Sequence, residues 1–175
     1  LVDNDGDHLP DKREVLIEEI SFPTGVMSWG RGVIITAGGR ILYAEDLNGD
    51  GDADLIEDWF TGFVEDNQQL RVNSLRWGLD GWIYCASGGH HAGFGLNTVI
   101  TSVKSGEKFK LGSRDFRFRP DGSFEPIAGP SQFGRVRDND GNWFGVQNAN
   151  PLGHYVLQDH YHKRNPDIAA PDPRK

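Results

Sequence analysis

Apolar residues along this chain fall in short bursts, some alternating with polar residues and some contiguous, each bounded by Gly, Asp or Asn. Such spacing predicts β-strands. The segments Val33–Ala37, Arg40–Ala44, Leu55–Phe60, Leu75–Gly78, Trp82–Ala86, Phe116–Arg119 and Asn142–Gly145 read this way. Gly38-Gly39 is a two-residue hairpin signal between the first two. Asp80-Gly81, Pro120-Asp121-Gly122 and Asp140-Gly141 are turns between further β-prone segments. Lys12–Ile20 alone offers a weak helical window.

The strand groups repeat. Pro23–Trp29, Arg71–Trp77 and Gln132–Arg137 each open a unit, and their starts lie 48 and 61 residues apart. That interval brackets the roughly 40–50-residue blade of a β-propeller once the stretch Gly88–Gly112 is treated as an insertion. The expected fold is therefore all-β, a partial propeller of about three blades spanning residues 1–161. Residues 162–175, with Pro166, Pro171 and Pro173, read as an extended tail. A β-sandwich of the same strand content is the rival architecture.

Composition narrows the function. The chain has 175 residues, one domain's worth, with 18 Lys+Arg against 26 Asp+Glu for a net charge of −8. An acidic surface argues against nucleic acid as a partner. No apolar run approaches the roughly 20 residues needed to span a bilayer. The single cysteine, Cys85, excludes an internal disulfide and a Cys-based zinc site. The opening inside an Asp-rich motif suggests an excerpt of a longer protein.

Candidate chemistry lies in the loops. Asp46, Asn48, Asp50, Asp52, Asp54 and Glu57 fit D-x-[DN]-x-[DN]-G-x5-E, with Gly51 at the bend, so their oxygens are candidate calcium ligands. The same residues also suit an acidic turn in which Asp and Asn bond their own backbone. Asp3, Asp5, Asp7, Asp11 and Glu14 repeat the pattern with His8 where the glycine stands, and a metal is less expected there. In the insertion, Ser87–Gly95 carries His90 and His91 among glycines, a pair suited to proton transfer or to ligand binding, or simply a surface loop. Arg76, Arg114, Arg117, Arg119, Arg135 and Arg137 sit in or beside predicted strands. Most are expected on solvated faces, and an inward one would bind carboxylate, phosphate or polyol oxygens. Trp77, Trp82 and Trp143 are expected to pack between neighbouring sheets. No G-x-S-x-G, P-loop or dinucleotide fingerprint occurs.

Four motifs in order carry a family resemblance. They are Asn73–Tyr84, Gly112–Gly122, Ser131–Arg135, and Gly141–Gly145 with Asn148, Asn150 and Pro151. Together they resemble the membrane-bound dehydrogenase domain found in planctomycete-type bacteria, which is similar to the soluble sugar dehydrogenases that use pyrroloquinoline quinone (PQQ). The resemblance implies a six-bladed propeller outside the cytoplasm, often followed by a haem-c domain or another electron acceptor. It also implies oxidation of a sugar or polyol at a quinone polarised by Ca²⁺, with His as base. On that basis His90, His91 and Arg135 are the catalytic candidates and Arg76 and Asn148 the cofactor contacts. The remaining blades of the same chain would be the structural partner. At the position of the base in those enzymes this chain has Leu70, and at the Gly-Asp that ends the following strand it has Gly88-Gly89. The alternative reading is a non-catalytic propeller that binds carbohydrate or protein.

Overall fold

Alternation on the strands decides the architecture. In Asp115–Phe118 the two phenylalanines face one way and Asp115 and Arg117 the other, and all four are buried. A strand buried on both faces must lie between two neighbours. The computed structural model describes residues 1–89, 94–162, 164 and 167 and shows this stacking as three antiparallel sheets, none of them closed.

The first sheet is a meander of β1 (Pro23–Trp29), β2 (Gly32–Ala37), β3 (Arg40–Glu45) and β4 (Leu55–Thr61), extended at its edge by the hairpin β7 (Val99–Ser102) and β8 (Lys108–Lys110). The second is β5 (Asn73–Trp77), β6 (Ile83–Ala86), β9 (Asp115–Phe118) and β10 (Phe124–Ile127), and the third is β11 (Arg135–Arg137), β12 (Trp143–Gly145) and β13 (Gly153–Tyr155). Each of the three repeat segments found in the sequence supplies the opening strand of one sheet. β5 lies against both β1 and β11.

Two expectations change. Gly88–Gly112 is more than an excursion from the second sheet, because its β7 pairs with β4 through Phe60↔Ser102 and Thr61↔Thr101. The insertion thus ties the first two sheets together. Lys12–Ile20 forms no helix. It instead lays Leu16, Ile17 and Ile20 over Ile35, Leu42 and Ala44, covering the outer face of the first sheet. Burial of three side chains outweighs a weak helical preference.

The main core lies between the first and second sheets, where Ile34, Ile41, Phe60, Ile83, Ile100, Phe116 and Phe118 are fully buried. A second, smaller core joins the second and third sheets around Tyr84, Ile127, Trp143 and Tyr155. Near the end of the described residues lies a short helix, α1 (Asp159–His162), whose Asp159 pairs with Arg114. Among the described residues no helix is long and apolar enough to cross a membrane.

Candidate functional site

The end of the sheets where β1, β5 and β11 begin carries a pocket of about 340 Å³ lined by Thr24, Gln68, Gln69, Arg71, Asn73, Ser74, Gln132 and Phe133. Its walls are built by backbone contacts across the sheets. Thr24 Oγ1 donates to the Val72 carbonyl at 2.6 Å, and Asn73 Nδ2 donates to the carbonyls of Arg71 and Gln132 at 2.8 and 2.9 Å. Ser74 holds a left-handed conformation, φ 60°, and its hydroxyl donates to the Arg135 carbonyl while accepting from the Arg135 N–H, both at 3.1 Å. A non-glycine residue at positive φ is uncommon and persists where surrounding bonds enforce it.

The root of the histidine loop meets this pocket. Gly88 lies so close to Leu70 that a Cβ on it would sit 2.3 Å from the Leu70 carbonyl. Gly89 lies against Gln132, where a Cβ would come within 3.0 Å of the Gln132 side chain. Both glycines have positive φ, so they serve conformation and close approach together. His90 and His91 themselves lie outside the described residues.

Beneath the pocket sits a polar cluster that sequence reasoning missed. Asp115, fully buried, accepts from the Ser87 and Ser131 N–H groups at 3.1 and 2.8 Å, from Ser131 Oγ at 2.6 Å and from Arg135 Nη1 at 2.9 Å. Arg135 is 3% exposed, also donates to the Ala128 carbonyl, and lies over the Tyr155 ring at 4.2 Å. Its Nη1 is therefore engaged by the protein and, through Asp115, tied to the loops around Ser87 and Ser131, while its buried Nε has no hydrogen-bond partner among the described residues. Arg117 is a second buried guanidinium, donating from Nε to Glu125 at 2.7 Å and from Nη1 to Asp80 and the Tyr84 hydroxyl at 2.8 and 2.7 Å. Burial pushes the Tyr84 phenol up to about 12 and the Cys85 thiol well above its ordinary value. The one signal in the sequence was an acid and a base at alternate positions of a strand otherwise phenylalanine, Asp115 and Arg117 beside Phe116 and Phe118.

The other expected site residues are scattered. Arg76 is exposed in a separate groove with Val26, Met27, Trp77, Val136 and Arg137, toward the far end of β5. Asn148 is exposed beside the upper pocket, its N–H donating to Gln132 Oε1 at 3.3 Å. Arg76 thus lies in that groove, and Asn148 beside the upper pocket. Among the tryptophans, Trp143 is buried and stacks on Tyr84 at 4.0 Å. Trp82 is half-buried under Arg117 and Arg119, and Trp77 is 36% exposed.

The two acidic loops prove to be built alike. In the second, Asp46 accepts from the N–H groups of Gly49 and Gly51 at 2.6 and 2.9 Å, and Asp54 accepts from that of Leu47 at 2.8 Å. In the first, Asp3 accepts from Gly6 and His8 at 2.7 and 3.0 Å, and Asp11 from Asn4 at 2.7 Å. His8 adopts φ 70° where the second loop has Gly51. These N–H bonds hold the carboxyls of Asp3 and Asp46 below the ordinary aspartate range. Glu14 of the first loop packs on Gly51 of the second, where a Cβ would come within 2.9 Å of its carboxyl carbon.

The loops differ in how their oxygens gather. Among the described residues, Asp3, Asp5 and Asp11 bring their ligand atoms within 4.8 Å of one another, a hard-oxygen set that fits Ca²⁺. In the second loop, Asn48 Nδ2 bridges Asp50 and Asp54 at 3.1 Å each. Asp52 is exposed there, and Glu57 lies within β4 opposite Tyr43.

No curated protein matches the chain. A crystal structure, at 1.70 Å, of a structural-genomics protein of unknown function from Bacteroides thetaiotaomicron VPI-5482 is similar at 12% identity and a TM-score of 0.24. The match covers 78% of this chain and 55% of the other, so this chain spans about half the length of that protein. A family model described as a domain of unknown function, DUF7133, matches residues 1–175, and the chain belongs to that family.

Proposed function

We propose that the chain forms three blades of a six-bladed-type β-propeller from an extracytoplasmic protein, and that its upper pocket binds a sugar or polyol without oxidising it. Three successive antiparallel meanders whose opening strands lie side by side support the propeller, with further blades of the same protein as its structural partners. The observation that carries the binding reading is Leu70. It stands where the resemblance calls for a base, is 8% exposed, and has its backbone packed against Gly88. Leucine moves no proton. The pocket instead offers the side-chain amides of Gln68 and Gln69, beside Arg71, whose Nε and Nη2 donate to the Glu65 carbonyl, and amides suit hydroxyl oxygens. Calcium held by the two acidic loops, which meet at Glu14 and Gly51 beyond β3, would make that end of the first sheet rigid.

The test is calorimetric titration with a panel of sugars and polyols. Binding is expected, weakened about tenfold in a Gln68→Ala/Gln69→Ala variant, two exposed side chains with no hydrogen bond among the described residues. Absence of binding across the panel would sink the reading.

Oxidation is the second reading, favoured by the contact of Gly89, the residue before His90, with Gln132 of the pocket lining. Dye reduction by protein supplied with quinone, calcium and sugar, lost in His90→Ala or His91→Ala, would establish it and displace the first. The electron acceptor would then lie outside this chain, in a haem-c domain or a separate protein.

A further inference from the structure

At the end of the sheets opposite the upper pocket lies a larger hollow, about 610 Å³, where β1, β3 and β4 meet the turns that follow β7 and β9. Its floor is aromatic, and an irregularity in β4 places the central ring. Ile41 pairs with Phe60 and Leu42 with Asp58, so Trp59 is the extra residue of a bulge. Bulges re-aim the side chains they carry. The Trp59 ring stacks on Tyr43 with centroids 5.4 Å apart and planes 16° from parallel, and Trp29 stands edge-on to both at 5.4 Å. The Tyr43 hydroxyl is already engaged, donating to Glu45 Oε2 at 2.6 Å. Gly32 makes room for that ring, since a Cβ there would lie 2.8 Å from the hydroxyl oxygen.

Polar groups stand around this floor. Asp58 pairs with Arg40 at 3.0 Å, and Lys104 Nζ lies 3.5 Å from the Pro120 carbonyl. The exposed Glu57 carboxylate makes no hydrogen bond or ion pair among the described residues and so is free to accept one from a ligand. The hollow falls within the roughly 300–1,000 Å³ of small-molecule sites.

The chemistry selects the ligand class. Of the charged lining residues, Asp58 is already paired with Arg40 and Glu57 is offset by Lys104, so no strongly charged ligand is favoured. A quaternary ammonium needs several ring faces turned toward one centre, whereas Tyr43 and Trp59 are stacked on each other. A half-buried aromatic surface with hydroxyl-seeking groups at its edge matches a sugar ring, apolar on one face and polar around its circumference. We propose that this hollow is a carbohydrate-binding site, separate from the upper pocket and independent of it.

Titration of the full chain with glucose, galactose, xylose and cellobiose, followed by tryptophan emission and calorimetry, tests the proposal. A saturable response in the millimolar range is expected for at least one of them. Measured in the Gln68→Ala/Gln69→Ala background, which weakens the upper pocket, it should persist and should fall about tenfold or more when Trp59→Ala or Glu57→Ala is added. Glu57 is exposed on its strand, so loss of binding in that variant, with an unaltered melting curve, separates binding from folding. The proposal falls if none of the four sugars gives a saturable response, or if tetramethylammonium alone does. A response that survives Trp59→Ala but is lost in the Gln68/Gln69 variant belongs to the upper pocket and overturns it equally.

Discussion

The second sheet faces two neighbours with two different chemistries. Toward the first sheet it presents Ile83, Phe116 and Phe118, which meet Ile34, Ile41, Phe60 and Ile100; Phe60 packs edge-on to Phe116 with centroids 5.1 Å apart. Toward the third sheet it presents Tyr84, Asp115 and Arg117, which meet Trp143, Tyr155 and Arg135. A single strand, β9, feeds both interfaces from alternate residues. The apolar interface is held by area and tolerates small losses of volume. The ionic one is held by an exact set of partners, and removing either member leaves an uncompensated buried charge. That second interface also carries the loops of the upper pocket, so the more brittle of the two positions the candidate site.

The contrast is sharpest at Asp115. Replacing it by Asn is expected to lower unfolding free energy by about 3–5 kcal/mol, read by urea denaturation, because Arg135 stays charged and buried. Asp115→Asn combined with Arg135→Met removes the unpaired charge while keeping an acceptor for the Ser87 and Ser131 N–H groups, and should recover part of that loss; a double variant as unstable as the single one would break the comparison. Calcium tests the other side of the molecule. At a hundredfold over its dissociation constant it should add about 2.7 kcal/mol, seen as a chelator-sensitive melting temperature. Asp3→Ala should abolish the response and Asp50→Ala reduce it, and a melting temperature indifferent to chelator would mean that the two loops are self-bonded turns. In the apolar interface, Ile34→Val should cost only about 0.5–1.5 kcal/mol; a cost equal to that of Asp115→Asn would erase the distinction.

The pH dependence divides the same way. Tyr84 at the second interface titrates at about 12 when folded against 10.0 as its ordinary value. Its contribution is intact below pH 10 and is lost as pH rises through 12, so Tyr84→Phe should flatten the alkaline limb of a stability profile. Asp3 and Asp46 are shifted down from 3.8. Their contribution is present above 3.8 and lost as pH falls through their lower folded values, an acid limb that Asp46→Asn should reduce.

The strands were legible because alternation and Asp-Gly or Gly-Gly turns are local signals, and each of the predicted strands lies within one residue or two of its observed counterpart. The acidic loops were legible for the same reason, since their bonds run between residues at most seven apart. The bulge at Trp59 was not, because it is defined by the partner strand. The likeness of the first loop to the second was legible from the acidic spacing; that His8 takes the glycine's backbone angle without being glycine was not.

Periodicity and turn chemistry in 175 residues suffice for an all-β meander with two acidic loops, because those features depend on neighbours along the chain. The joining of Asp115 to Arg135, the separation of Arg76 from Asn148, the return of the insertion to the first sheet and the gathering of Trp29, Tyr43 and Trp59 depend on which faces of which sheets come together. Burial of whole faces selects those pairings, and a linear pattern records which residues share a face without recording what that face will meet.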